Sequence, residues 1–237
     1  MPLEFSASAK PILRLPALWI NIVITPPRLS DAAPSVAIMN DPAVAPNMGV
    51  TPEKPYTIER AEAWIAKVKG ACDAAVHQMQ DASAGAGEQL KFAIGGCPVR
   101  HIREVRADGE EVYIGDVGLA RSGFLNVKDK EERARLVAEN EARVAGDPEI
   151  VWHIGYYLAP SHHGRGIMSA VVHAMIHEWG VSRMGVHLVR SNAFEGNFGS
   201  LKVLKKNGFM EVDYVPDVVQ IGEQKRGMHF LEWSASM

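Results

Sequence analysis

Hydrophobic and polar positions along the chain follow two periods, one typical of strands and one typical of helices. Residues 150–158 (IVWHIGYYL) are rich in β-branched and aromatic side chains and predict a buried strand. Residues 169–179 place apolar side chains three and four positions apart, the spacing of an amphipathic helix, and Gly180 is expected to end it. The pattern therefore predicts a strand, a tight turn and a helix N-terminus in direct succession.

The same two periods predict the remaining elements. Strands are predicted over residues 18–25, 91–95 with 99–106, 112–120 and 184–194, and a closing antiparallel pair over 209–214 and 226–233. Helices are predicted from Ser30 to about Asn40, from Thr57 to about Met79, and over residues 129–145 and 197–207. The first ten residues are small and polar and are expected to be mobile.

The turn between the strand and the helix has the composition of an anion-binding site. The first-turn amides of a helix have no partner within the helix and lie at the positive end of its dipole. Gly164 and Gly166 lack the β-carbon that would keep a phosphate away, and Arg165 adds a positive charge. Neither GxxxxGK[ST] nor GxGxxG with a ribose-binding acid about twenty residues later is present. The loop is therefore neither of the two commonest nucleotide-binding motifs.

Composition narrows the class of protein. A hydrophobic share of 47% with 22% charged residues is that of an ordinary globular protein, and the net charge of −3 gives no reason to expect nucleic acid. The apolar run at residues 15–25 contains Pro16 and Asn21 and is too short to span a bilayer, so no membrane association is expected. Cys72 and Cys97 are interpreted as free thiols, which indicates a cytoplasmic protein. The histidines lack metal-ligand spacing, so no metal is expected.

The loop resembles the pyrophosphate loop of the GNAT N-acetyltransferase superfamily, whose pattern is [QR]xxGx[GA]. The pattern falls on residues 163–168 (HGRGIM). Here His163 replaces Gln or Arg, and Met168 replaces the final Gly or Ala. Methionine at the last place is familiar in the branch of the superfamily that acetylates ribosomal-protein N-termini.

Two further motifs extend the resemblance. Residues 197–209 (NFGSLKVLKKNGF) match the NxxSxxVLxKxGF signature, which closes the cofactor cleft in that superfamily. Residues 41–44 and 55–65 look like the opening helices of the ribosomal-protein branch. The resemblance covers roughly residues 22–233, and the three motifs occur in the family's order.

The resemblance implies an α/β fold in which a mixed, mostly antiparallel and bent sheet is flanked by helices. Strands four and five of that fold, residues 150–158 and 184–194, would splay apart in a V that holds the pantetheine arm of acetyl-CoA. It further implies a single N-acetyltransferase domain over residues 11–237, with an extra charged helix at about 127–146. The residues implied to bind acetyl-CoA are Tyr157, Leu158, His163, Gly164, Arg165, Gly166, Ile167, Met168, Ser169, Asn197 and Ser200.

Catalytic residues follow less directly from the resemblance. Many family members protonate the departing thiolate with a tyrosine, and Leu204 stands at that position. Ser200, one turn earlier, is the candidate replacement, although it could merely pack the helix start. His153 stands where the branch has a glutamate and is the candidate general base, unless it faces the other side of the sheet. Asp116 and Glu149 are the next candidates for the base.

The function implied is acetyl transfer from acetyl-CoA to a primary amine by direct attack in a ternary complex. The acceptor stays open between a protein N-terminal amine, a small-molecule amine or antibiotic, and an amino acid. It is expected to bind near the loops at residues 43–55 and 217–226, and the protein is expected to be a monomer or homodimer. The alternative is a GNAT-fold module that binds acyl-CoA and transfers nothing. The leucine at the tyrosine position and His163 favour this alternative, whereas the intact Gly-x-Gly loop favours the enzyme.

Overall fold

The computed structural model describes residues 3–5, 10–49, 55–85, 94–221 and 224–235. Within them, nine strands form one sheet in the order β1-β2-β3-β4-β5-β6-β7-β9-β8. The only parallel pair among these strands is β6 with β7, and every other neighbouring pair is antiparallel. The strands are β1 (Glu4–Phe5), β2 (Pro11–Arg14), β3 (Ile22–Thr25), β4 (His101–Val105), β5 (Glu111–Arg121), β6 (Val151–Leu158), β7 (Leu188–Phe194), β8 (Met210–Ile221) and β9 (Gln224–Ser234).

Helices cover both faces of the sheet. They are α1 (Ala32–Met39), α2 (Ile58–Gly85), α3 (Lys130–Ala142), α4 (Ile167–His173) and α5 (Phe198–Lys206). On one face of β5, Gly118 lies beneath the Arg100 side chain, which contacts Trp64 of α2. On the other face, Leu119 packs against Gly180 in the continuation of α4. The predicted architecture, a mixed and mostly antiparallel sheet flanked by helices, is confirmed.

Most predicted elements occur within a few residues of their expected bounds, and the differences are concentrated near the N-terminus. The strand predicted over residues 18–25 is limited to β3, because the chain between Pro16 and β3 turns through a 3-10 helix, Ala17–Trp19. The first ten residues, expected to be mobile, include β1, which pairs with the unpredicted β2. Most of the strand predicted at 91–95 lies outside the described residues.

The prediction that Gly180 ends the helix after the loop is wrong. Beyond α4 the chain continues as a π-helical segment, Ala174–Met184, which ends at Gly185 in the left-handed conformation with φ of 66°. A β-carbon at Gly180 would lie 3.1 Å from the Leu119 side chain and 3.3 Å from that of Val186. Gly180 is therefore needed for close packing of the helix on the sheet, and not for its termination.

The start of β6 is fixed by the core and by α3. Trp152 and Ile154 of β6 are almost completely buried, and burial of such side chains contributes about 1.5–3 kcal/mol each. Asn140 of α3 receives a 2.9 Å hydrogen bond from the Val151 amide and donates a 2.8 Å bond to the Val151 carbonyl. The charged helix predicted at 129–145 is thus confirmed, and its one buried residue holds β6 in place.

A buried ionic cluster joins the start of α1 to β4. The Oδ2 atom of Asp31 lies 2.5 Å from His101 Nδ1 and accepts hydrogen bonds from Arg103 Nη2 at 2.6 Å and from the Arg28 amide at 2.8 Å. Burial alone would raise the pKa of Asp31, but the bonds from His101 and Arg103 outweigh it and hold the pKa below its usual 3.8. Asp31 is therefore charged at neutral pH and stabilises the fold.

Replacing Asp31 with Asn should destabilise the protein by about 3 kcal/mol at pH 7, because it leaves Arg103 buried without its countercharge. A carboxyl whose pKa is lowered by folding stabilises the native state above its unfolded pKa and loses that contribution as pH falls. The difference between the wild type and Asp31→Asn should therefore shrink below pH 3.8. Urea unfolding across pH measures it.

The matched control is Glu132→Gln, which removes an exposed ion pair with Arg135. It should change the free energy of unfolding by no more than about 1 kcal/mol. Equal losses in the free energy of unfolding for the two substitutions at pH 7 would contradict this. They would show that the Asp31 cluster stabilises the fold no more than an exposed ion pair does.

Candidate functional site

The parallel pairing of β6 with β7 ends soon after it begins. β6 pairs with β5 from Trp152 to Leu158, but its register with β7 covers only Val151, Trp152 and His153. Where the strands separate, Ser191 Oγ donates a 2.8 Å hydrogen bond to the Ile154 carbonyl. Residues 155–158 of β6 therefore present an edge without a partner strand, which can bind an extended ligand through main-chain hydrogen bonds.

Side-chain contacts show which main-chain groups face this open edge. The Leu158 carbonyl oxygen lies 2.8 Å from His163 Nε2, and the Ile154 carbonyl oxygen accepts its bond from Ser191 Oγ. Both carbonyl groups therefore face the open side of β6. The next amide, of Ala159, donates instead to β5. Because successive residues of a strand alternate, the main chain of Tyr156 faces the open edge. The main chain of Tyr157, which was predicted to hold the cofactor, faces β5 instead.

The loop after β6 leads into α4 through two glycines with positive φ. Gly164 has φ of 72° and Gly166, the N-cap of α4, has φ of 77°, a conformation that other residues adopt only with strain. The side chains of Ile167 and Met168 are buried in the core, so these residues can offer a ligand only their amides. Gly164, Arg165 and the free amides of the first turn form a positive concavity beside the open edge.

Trp19 packs against this loop, a contact absent from the sequence prediction. Its Nε1 donates a 3.2 Å hydrogen bond to the Arg165 carbonyl, and a β-carbon on Gly166 would lie 3.1 Å from its Cζ2 atom. Around Gly164, by contrast, a β-carbon would meet no described atom within 4 Å. Gly166 is thus required by its φ and by Trp19, and not only by the approach of a phosphate. Trp19 was missed because it lies in the segment predicted as a strand.

Tyr156 and Ser200 join β6 to α5 across the sheet face that α4 and α5 cover. Asn197, the N-cap of α5, accepts a 3.1 Å hydrogen bond from the Ser200 amide, as capping residues do. The Ser200 Oγ lies 2.9 Å from the Tyr156 hydroxyl, while Leu204 is buried. Burial raises the pKa of Tyr156, although the hydrogen bond with Ser200 opposes this, so the phenol remains protonated. The structure brings the predicted Ser200 to a tyrosine that sequence reasoning missed.

The strand alternation that places Tyr156 beside α5 places His153, three residues earlier, on the opposite face. Its Nε2 lies 3.0 Å from the Asn192 Oδ1 of β7. An amide oxygen accepts a hydrogen bond, so Nε2 carries the proton and Nδ1 has a free lone pair. Nδ1 would lie 3.9 Å from a β-carbon on Gly155, so the ring lies beside Gly155, where the V begins. Burial lowers the pKa of His153, partly offset by the bond to Asn192.

A cavity of about 150 Å³ opens beside His153 on the same face. Phe124 and Phe230 provide aromatic walls, and Asn192 and Arg190 provide polar ones. The Arg190 Nε is held by Glu232 at 2.6 Å, which fixes the side chain. The cavity thus has both apolar and polar walls and reaches the candidate base.

The other candidate bases are engaged in ion pairs. Asp116 is buried and accepts a 3.0 Å hydrogen bond from Arg100 Nε. Glu149 is exposed and lies 2.6 Å from Arg143 Nη1. Both carboxylates are thus already paired with arginines, whereas the Nδ1 of His153 has no hydrogen-bond partner in the described part of the chain.

The two loops expected near the acceptor lie against each other. Arg226 Nη1 donates a 3.0 Å hydrogen bond to the Pro46 carbonyl, and Nη2 donates a 3.2 Å bond to Asn47 Oδ1. Residues 50–54 and 222–223 of these loops lie outside the described residues. The contact shows that the segment before α2 and the hairpin of β8 and β9 meet at one side of the sheet.

The described ranges show neither a metal site nor a membrane-spanning helix. They contain no group of three or more His, Cys, Asp or Glu side chains placed to hold a metal ion. Nor does any helix in those ranges have the length and apolar character needed to cross a membrane.

The chain is similar to acetyltransferases in sequence and in structure. It is 34% identical over 56 residues to the "Probable N-acetyltransferase YjcK" of Bacillus subtilis (strain 168), an alignment that covers 24% of this chain and 30% of that protein. The chain thus spans less than a third of the length of this relative.

Three solved structures share the fold at low sequence identity. The acetyltransferase (GNAT family) from Bacillus anthracis has a TM-score of 0.59 and 13% identity, covering 94% of this chain and 98% of its own. The ribosomal-protein-S5-alanine acetyltransferase from Vibrio fischeri has a TM-score of 0.55 and 18% identity over 90% and 93% of the two chains. The microcin C7 self immunity acetyltransferase MccE, in complex with acetyl-CoA and AMP, has a TM-score of 0.54 and 14% identity over 91% and 93%.

The family model matches more of the sequence than the curated relative does. Residues 21–210 match the acetyltransferase (GNAT) domain. This region includes β3 to β7, the loop with its two positive-φ glycines and α5. It covers more than half of the chain, and the chain therefore belongs to the GNAT acetyltransferase family.

Proposed function

We propose that the protein is an acetyl-CoA-dependent N-acetyltransferase that moves the acetyl group to a primary amine by direct attack. The observation that carries the proposal is the short pairing of β6 with β7, which leaves an open strand edge beside His153. Membership of the GNAT family and the similarity to a curated N-acetyltransferase support it. MccE, which shares the fold, was solved with acetyl-CoA.

The residues along the V and the loop fit acetyl-CoA, whose reactive part is a thioester. The open edge offers main-chain groups of Tyr156 and Leu158 to the amides of an extended pantetheine arm. The concavity at Gly164 and Arg165, with the amides of Ile167, Met168 and Ser169, fits the pyrophosphate. His163 orders the loop through its bond to the Leu158 carbonyl, and Asn197 orders α5 through the Ser200 amide.

His153 acts as the general base in this proposal. An amine attacks a thioester only when it is neutral, so a proton must leave the ammonium form. The Nδ1 lone pair beside Gly155 can take that proton, directly or through one water, while Asn192 holds the ring. Because burial lowers the pKa of His153, the imidazole is already neutral at pH 7 and able to accept.

The hydroxyls of Tyr156 and Ser200 act on the departing thiolate. Ser200 alone is a poor acid, but its Oγ lies 2.9 Å from the Tyr156 hydroxyl, and a phenol is the stronger donor. We assign the proton donor to Tyr156 and a positioning role to Ser200. The raised pKa of Tyr156 keeps its proton in place until negative charge develops on the sulfur.

The acceptor classes expected from the sequence all carry the primary amine that this proposal requires. The ribosomal-protein branch is supported by the fold it shares with the Vibrio fischeri enzyme. A cytoplasmic location is supported by Cys72 and Cys97, which are free; burial raises the pKa of the Cys72 thiol to about 12 and makes it unreactive.

The test measures release of the CoA thiol over a panel of primary amines, with wild type and His153→Ala. At pH 7.5 the variant should lose about a hundredfold in kcat/KM, the usual contribution of a positioned base. The wild-type rate should rise with pH along a limb below 6.5, since the pKa of His153 is lowered, and the limb should vanish in the variant.

The matched control is His187→Ala, at an exposed histidine just before β7. It should keep both the rate and the pH limb. An unchanged pH profile in His153→Ala would contradict the role of His153. Saturable binding of acetyl-CoA by the wild type without thiol release with any amine would favour the acyl-CoA-binding module instead.

Replacing Tyr156 with Phe tests the proton donor, because it removes only the hydroxyl. The variant should lose about tenfold to hundredfold in kcat, while its affinity for acetyl-CoA, measured by calorimetry, should stay unchanged. Tyr214→Phe, at a tyrosine of β8, serves as the control and should keep full activity. A Tyr156→Phe variant with wild-type kcat would show that Tyr156 is not the proton donor. The thiolate would then take its proton from solvent or from Ser200.

A further inference from the structure

Arg100 lies just before β4, on the sheet face that also carries His153. Its main chain is held on both sides, by the Thr25 carbonyl at 2.9 Å and the Val117 amide at 3.0 Å. The side chain extends over β5, where a β-carbon on Gly118 would lie 2.1 Å from Nη1 and 2.6 Å from Nη2. Only a glycine at position 118 leaves room for the guanidinium in this position.

The guanidinium is fixed by two partners that leave its outer nitrogens free. Arg100 Nε lies 2.8 Å from Oδ1 and 3.0 Å from Oδ2 of Asp116, and only the bond to Oδ2 has hydrogen-bond geometry. The Trp64 ring centroid lies 5.2 Å from Cζ, a cation–π contact that also takes no N–H. In the described part of the chain, Nη1 and Nη2 have no hydrogen-bond partner, although the side chain is only 18% exposed.

Neither outer nitrogen is fully buried, so both remain accessible to a ligand. The two outer nitrogens of a guanidinium form a planar fork that matches a carboxylate and can bind it through two parallel hydrogen bonds. Asp116 engages Nε alone and leaves this fork available. The geometry is that of an arginine held ready to receive a second anion.

The distance between the Arg100 fork and His153 limits the size of a ligand that could contact both. Gly118 and Gly155 are direct partners in the pairing of β5 with β6. Beta-carbon positions of such partners lie about 5 Å apart. Arg100 lies over the first glycine and the His153 ring beside the second, so a single amino acid can reach both with a hydrogen bond at each end.

We propose that the acetyl acceptor is an amino acid or a similarly small amino-carboxylate, whose carboxylate binds the Nη1–Nη2 fork of Arg100 while its amine faces His153 Nδ1. The inference rests on the proposed acetyl transfer and names its substrate class. The Arg100 guanidinium covers Gly118, Gly155 lies beside the proposed subsite, and Trp64 borders the guanidinium from α2.

The experiment compares L-amino acids of each side-chain class with their C-terminal amides as acceptors for acetyl-CoA. The wild type should acetylate one or more acids with a KM about tenfold to hundredfold below that of the matching amide, the loss expected for one charge-assisted hydrogen bond. In Arg100→Gln the KM for the acid should rise to that of the amide, with the amide unaffected. Arg135→Gln, on the exposed face of α3, should behave as wild type.

Binding measured without turnover separates this inference from the proposed function. The preferred acid should raise the melting temperature of the wild type in the presence of CoA, and its amide should not. Gly118→Ala keeps the arginine but displaces its guanidinium, so it should lose the same shift while remaining folded.

A rise in melting temperature with an amino acid, but no acetyl transfer to it, would support the subsite and contradict the proposed transferase activity. Transfer that does not distinguish acids from amides, or no protection by any acid, would overturn the subsite even if the protein is an acetyltransferase. An Arg100→Gln variant that unfolds is replaced by Arg100→Lys, which keeps a charge for Asp116 but loses the fork, and should still raise the KM for the acid.

Discussion

The site depends on the point at which β6 and β7 stop pairing. Three residues of β6 pair with β7, and the hydrogen bond from Ser191 Oγ to the Ile154 carbonyl closes the ladder. Beyond it the strands diverge, and the main-chain groups of β6 need a partner that the sheet does not supply. Three paired residues suffice because two other contacts hold the start of β6. These are the hydrogen bonds to Asn140 and the burial of Trp152.

Strand alternation then distributes the chemistry between two faces. His153 and Gly155 point to the side of α2, where Asn192 and the cavity lie, whereas Tyr156 points to α5 and Ser200. A ligand in the V would therefore have the His153 imidazole on one side and the Tyr156 hydroxyl on the other. The glycines at positions 118 and 155 keep the α2 side open, so that Arg100 can approach the same region.

Periodicity and local motifs predicted the part of the molecule that is determined locally. The strand of β6, the glycine turn and the following helix all have sequence signals that depend on neighbouring residues alone. The helix predicted over residues 197–207 is also local, although the capping role of Asn197 is visible only in the structure. These signals, together with the family motifs, sufficed to predict the fold and the location of the loop.

The residues that the sequence did not indicate owe their positions to contacts between distant segments. Trp19 meets Gly166 across the sheet edge, and Asn192 meets His153 only because β6 and β7 pair. Gly180 shows the limit of a local rule, since the packing of Leu119 decided its role in place of its tendency to end helices. Tyr156 could have been placed from strand alternation, once the face of His153 was known.

A crystal structure of the protein with CoA tests most directly whether the V between β6 and β7 holds the pantetheine arm. We expect electron density for pantetheine along residues 155–158 of β6, with hydrogen bonds to the main chain of Tyr156 and Leu158. The diphosphate should lie at Gly164 and Arg165, and the sulfur should lie within reach of the Tyr156 hydroxyl. CoA bound elsewhere on the protein, or a V closed by continuous pairing of the two strands, would contradict it.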